Sequence, residues 1–141
     1  MIIDAHAHFV PQSFLDEVLS RPGLFPSVKA ASGPDGVRFT FANQDAKRPV
    51  PNGMSDVERR RKGLAARGID KQVVAGWLDV FGYDIPADEG LEWSRFFNSH
   101  LLKAAASTPF LVPLATVPMQ SGKLAARALE RGGEAVAAGA V

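Results

Sequence analysis

The stretch Ile2-Ile3-Asp4-Ala5-His6-Ala7-His8-Phe9-Val10, running into Pro11, decides how the rest of the sequence is read. It reads as a buried strand. Residues two apart on a strand point to the same side. His6 and His8 are therefore expected to aim both imidazoles into one space, with the small Ala7 facing away. Two neutral imidazoles so placed suit zinc or a similar divalent ion such as Mn2+. Asp4 shares their parity and is expected to orient a ligand from behind. The competing reading is a pair of buried histidines making ordinary hydrogen bonds.

Working outward, the pattern alternates strands and helices. A short helix is expected over Ser13–Leu19, stopped by Pro22-Gly23. Val28–Ala30 and Val37–Phe41 read as two arms of a hairpin, an insert over about 28–42. Gly33-Pro34-Asp35-Gly36 between them supplies turn chemistry. Asn43–Gly53, with two prolines, reads as a loop. Ser55–Arg67 reads as a helix with Ser55 and Glu58 as a capping box, Asp56/Arg60 and Glu58/Lys62 as i,i+4 pairs, and Gly68 as its stop. Lys71–Leu78 is expected as a second strand and Asp79–Pro86 as a loop. Asp88–Ala106 is a longer helix whose Trp93, Phe97 and Leu101 form a core stripe. Phe110–Val117 is a third strand, and Ser121–Arg131 a helix ended by Gly132-Gly133. Ala135–Val141 is expected to begin a fourth strand.

This order implies an α/β fold with a parallel sheet. An open Rossmann sheet would place a Gly-rich turn after the first strand; here His-Ala-His-Phe stands instead. Active sites of (β/α) barrels lie at the C-terminal ends of the strands, where His6 and His8 fall, and this favours the metal reading of the pair.

The bulk numbers narrow the function. The 141 residues suffice for one core, and 46% hydrophobic with 22% charged residues is a globular composition. A formal net charge of +1 argues against a nucleic-acid surface. No cysteine is present, which excludes disulfides and thiolate metal sites. No apolar run suits a signal peptide or a membrane span, so the expectation is a cytoplasmic protein with no membrane partner.

Ile3-Asp4-Ala5-His6-Ala7-His8 followed by Pro11 resembles the opening of the amidohydrolase superfamily. The hairpin insert, the Asp56-x-x-x-Arg60 helix, Ala115-Thr116-Val117-Pro118-Met119-Gln120 and the Leu124-Ala125 helix resemble its aminocarboxymuconate-semialdehyde decarboxylase-like branch. The resemblance implies the N-terminal portion, about four βα units plus the hairpin insert, of a metal-dependent (β/α)8 TIM barrel. It implies His6 and His8 as metal ligands, further ligands and an acid–base histidine on later strands, and a homo-oligomer, as a dimer. It also implies a loop arginine that grips a substrate carboxylate, for which Arg48 is the best match. Trp77 and Asp79, at the end of the second strand, would then face the pocket mouth, with Trp77 against the substrate.

The activity so implied is non-oxidative decarboxylation of a small carboxylated molecule, an aromatic or muconate-type acid. The alternative is hydrolysis of an amide, ester or lactone by the same superfamily. His100 is read as structural, and Arg59-Arg60-Arg61-Lys62 as a solvated helix face. Residues 1–141 are expected to be a partial barrel truncated at the fourth strand and catalytically incomplete alone; a natural small α/β domain is the rival reading.

Overall fold

The structure, a computed structural model, describes the backbone of residues 1–137 and the side chains of residues 1–130. In chain order its elements are β1 (Ile3–His8), α1 (Gln12–Ser20), β2 (Val28–Gly33), β3 (Gly36–Phe41), α2 (Val57–Ala65), β4 (Lys71–Ala75), α3 (Ala87–Ala106), β5 (Leu111–Leu114) and α4 (Gly122–Ala137). Single 3-10 turns sit at Asn52–Met54 and Leu78–Val80. β1, β4 and β5 form a parallel sheet in that order, and β2 and β3 pair antiparallel beside it. The chain is thus a mixed α/β unit of parallel strands linked through helices.

The two faces of the parallel sheet differ sharply. On β4, Gln72 and Val74 point to one side and are buried; Val74 joins the core with Leu111 of β5 and with Phe97 and Leu101 of α3. The other side carries Val112 and Leu114, which are 37% and 57% exposed, and Ile3 at 47%. Helices therefore cover one face, while among the described residues the opposite face is open.

The core is aromatic. Trp93 is fully buried, with ring centroids of Phe14, Phe25, Phe39 and Phe41 at 5.0–5.8 Å, mostly edge-on. Its indole N–H donates to the Val80 carbonyl at 2.7 Å, so burial leaves no orphan donor. The expected stripe of Trp93, Phe97 and Leu101 is thus the buried face of α3. The hairpin closes at Pro34-Asp35, with Gly33 and Gly36 as its last pair. Gly36 has φ +124°, and a Cβ there would run into the Val50 carbonyl, so the residue must be glycine. His100 belongs to the scaffold: its Nδ1 lies 2.9 Å from Ser13 Oγ and its Nε2 3.3 Å from Glu17, tying α3 to α1.

Several expectations change. The N-cap of α2 is Asp56, not Ser55: the Asp56 carboxylate accepts from the Arg59 amide at 2.8 Å, whereas the buried Ser55 Oγ has no partner. A carboxylate one residue closer to the first turn outcompetes the hydroxyl. Glu58 turns outward to Arg61 at 2.7 Å and Lys62 at 3.9 Å instead of reaching back to a cap. Arg60 does not pair with Asp56 and is not part of a solvated face, since its guanidinium turns inward. β4 ends at Ala75, and the 3-10 turn Leu78–Val80 takes the place of its expected end at Leu78; a Cβ at Gly76 would come within 2.7–2.8 Å of the Phe81 and Phe97 rings, so that residue must be glycine. Helix α4 continues through Gly132-Gly133 to Ala137. Residues 135–137 are therefore helical, and the rest of the expected fourth strand lies outside the described residues. Among the described residues no helix is long and apolar enough to cross a membrane.

Candidate metal centre

His6 and His8 close β1. Their ring centroids are 5.1 Å apart and nearly perpendicular, at 84°. The β1–β4 register explains how they meet. Asp4 pairs with Gln72 and Ala7 with Val74, so Ala5 and His6 together oppose the single residue Val73. This is a β-bulge, an extra residue that re-aims side chains. Paired residues of parallel strands point to the same side. Asp4 and Ala7 thus lie on the helix-covered face with Gln72 and Val74, and His8 lies on the open face with Ala75.

The bulge corrects one expectation. Asp4 does not share the histidines' side, because the extra residue breaks the alternation. Its carboxylate instead accepts from the Gln72 side-chain amide at 2.6 Å and from the His6 backbone amide at 3.3 Å. The Gln72 bond first, and the His6 amide second, hold this carboxyl below the usual carboxylate range. Asp4 acts on the histidine through its main chain, not its ring.

His8 is oriented from its Nδ1, which lies 2.9 Å from the carbonyl oxygen of Gly76. A carbonyl can only accept, so Nδ1 carries the proton and Nε2 keeps its lone pair for a ligand. The donor set fits a divalent ion. Two imidazoles are donors of the type that zinc and similar divalent ions take, and His6 and His8 would hold such an ion. Among the described residues no third His, Cys, Asp or Glu joins the pair.

Beside the pair, three residues singled out from the sequence come together. Arg48 donates from Nε to Asp79 Oδ2 at 2.8 Å, its Nη2 lies 2.8 Å from the same oxygen as an ion pair, and its Cζ lies 5.1 Å from the centre of the Trp77 ring. Trp77 follows Gly76, the acceptor for His8, so backbone connects the two groups directly. The Arg48 side chain is 69% exposed and Asp79 only 15%. Two cavities lie elsewhere, one beside Leu24 and Phe25 and one beside Gln12 and Asn52. The histidines open instead onto the uncovered sheet face, where the chemistry of the donor set outweighs cavity size.

Sequence reasoning missed three contributors. Arg60 donates to Gln72 Oε1 at 2.6 Å and to the His8 carbonyl at 2.7 Å, and Gly76 supplies the acceptor for His8. The available signal was Gln72, a long polar side chain within an otherwise apolar strand.

No family model matches the chain. Among solved structures it is similar to the IDCase of Metarhizium anisopliae in apo form, with a TM-score of 0.64 and 13% sequence identity. The match covers 93% of this chain and 39% of that one, so the chain spans well under half the length of the structure it resembles. The likeness is one of fold.

Proposed function

We propose that this chain contributes the first two metal ligands, His6 and His8, of a metal-dependent decarboxylase acting on a small carboxylated substrate, an aromatic or muconate-type acid. The observation that carries the reading is the pair itself: two imidazoles at one strand end, their ring centroids 5.1 Å apart, with the tautomer of His8 set by Gly76. The fold likeness to IDCase, a decarboxylase, supports it. The barrel, the zinc or manganese ion and the remaining ligands belong to this proposal.

The bound ion would supply Lewis acidity at a substrate oxygen. The chain's own residues do the positioning. His8 presents Nε2 because Nδ1 is committed to Gly76. Arg48, stacked on Trp77, offers a planar fork to a substrate carboxylate, with Asp79 holding that fork in place until substrate takes it. Trp77 would give an aromatic substrate a flat partner. Hydrolysis within the same superfamily would use the same pair of histidines, so the test must separate the two chemistries.

The experiment is elemental analysis of the intact protein and of His6→Ala and His8→Ala, with carbon dioxide release from aromatic acids assayed beside hydrolysis of esters and lactones. The expected result is close to one divalent ion per chain, lost in both variants together with carbon dioxide release. Unchanged metal content in both variants would sink the metal reading. Turnover of esters or lactones alone would replace decarboxylation by hydrolysis.

A further inference from the structure

A bulge creates a positioning problem: it lifts the backbone of His6 out of the ladder just where a ligand must be held. The side chains behind the sheet address this. The amide of His6 is taken by Asp4 Oδ1 at 3.3 Å, and the other oxygen of Asp4 receives the Gln72 amide at 2.6 Å. Gln72 Oε1 in turn receives Arg60 Nη1 at 2.6 Å. The same guanidinium turns Nη2 to the His8 carbonyl at 2.7 Å and, more weakly, to that of Met54 at 3.3 Å. Arg60 thus reaches the main chain of both histidines, His8 directly and His6 through Gln72 and Asp4. We propose that Arg60 and Gln72 are positioning residues for the two-histidine centre. This inference rests on the metal reading above.

Two features separate this from ordinary packing. An arginine retained only for stability would be expected to neutralise itself on a carboxylate. Among the described residues Arg60 has no carboxylate within hydrogen-bonding distance; its Nη1 and Nη2 donate to a glutamine and to backbone carbonyls, its buried Nε has no partner, and its guanidinium lies over the Phe9 ring with Cζ 5.3 Å from the centre. Gln72, 5% exposed, has both ends of its amide engaged, one towards Arg60 and one towards Asp4. An amide can accept at one end and donate at the other, so it relays position between a cation and an anion. Neither an acid nor an amine at 72 could do both. Such supports behind ligands typically change metal affinity by about 10–100-fold when removed.

The test uses the intact protein carrying Arg60→Lys, Arg60→Met or Gln72→Met, with His6→Ala as control. Zn2+ affinity is measured by competition with a chromophoric chelator, geometry by the visible spectrum of the Co2+ form, and folding by the melt of the metal-free protein. Zn2+ affinity is expected to fall about 10–100-fold in Arg60→Met and Gln72→Met, at temperatures where the metal-free variants are folded. Arg60→Lys should restore the melt without restoring the affinity, because one ammonium cannot span the glutamine and the carbonyl as the fork does, and its Co2+ band should shift. If Arg60→Met does not fold, Gln72→Met decides. Variants that melt early yet bind Zn2+ as tightly as the parent overturn the positioning role and leave the metal reading standing. A parent that binds Zn2+ no better than His6→Ala overturns both.

Discussion

Arg48 poses the sharpest question at the scale of single residues. It is anchored to Asp79 and stacked on Trp77, yet most of its side chain is in water. A contact to substrate made there is partly screened, so removing it should do less than removing a buried partner, for which about 2–5 kcal/mol is usual. We expect Arg48→Ala to lower kcat/KM of the intact enzyme by roughly tenfold, near 1.4 kcal/mol. Arg48→Lys should recover only part, since it keeps the charge and loses the fork. Steady-state kinetics on the carboxylated substrate decides this, and a change within about twofold for Arg48→Ala would reduce Arg48 to a surface ion pair. The histidines themselves were legible because two polar residues interrupt an apolar strand at a spacing of two. The fate of Asp4 was not, because nothing in Asp-Ala-His-Ala-His signals an extra residue in the register; the bulge appears only once β4 is laid alongside.

At the scale of elements, the helix ends separate what propensity decides from what tertiary context decides. Ser55 and Asp56 are both good N-caps by type, and the sequence alone does not choose between them. The chain enters α2 with Asp56 in extended backbone and the Ser55 hydroxyl buried without a partner, so the carboxylate is the group that reaches the Arg59 amide. Asp56→Ala should therefore destabilise by about 1 kcal/mol, and Ser55→Ala by under about 0.5 kcal/mol. Urea unfolding midpoints of the two variants check this; the reverse order would return the cap to Ser55. Helix α3 was readable almost to the residue because its stripe is long and aromatic. Arg60 was misread because spacing offered Asp56 as a partner, whereas the buried face of α2 offered the carbonyl of His8. The run past Gly132-Gly133 shows the same limit, since glycine weakens a helix by only about 1 kcal/mol relative to alanine and does not by itself end one.

Across the whole molecule, the contrast between the two sheet faces governs behaviour. Val112, Leu114 and Ile3 lie on the face that no described residue covers. Contiguous exposed apolar surface seeks a partner. Residues 1–141 expressed alone are therefore expected to self-associate with rising concentration, and the pair Val112→Thr with Leu114→Glu should weaken that association. Sedimentation velocity across a concentration series gives the answer, and a monomer throughout would mean that the face tolerates water. The sequence allowed this to be anticipated only in outline. It marked β5 as apolar on both sides, but which side meets helices depends on the packing of α3.

The stacking of Arg48 on Trp77 also gives the protein an optical handle. The chain has two tryptophans. Trp93 is sealed among phenylalanines with its indole committed to Val80, so its emission is expected to be blue-shifted and indifferent to events at the strand ends. Trp77 sits under the Arg48 guanidinium one residue past Gly76, the acceptor for His8, so any molecule that draws Arg48 away is expected to change the field over that indole and with it the wavelength and yield of its light. Ligands can therefore be screened by intrinsic fluorescence without a label, with Trp77→Phe as the dark control.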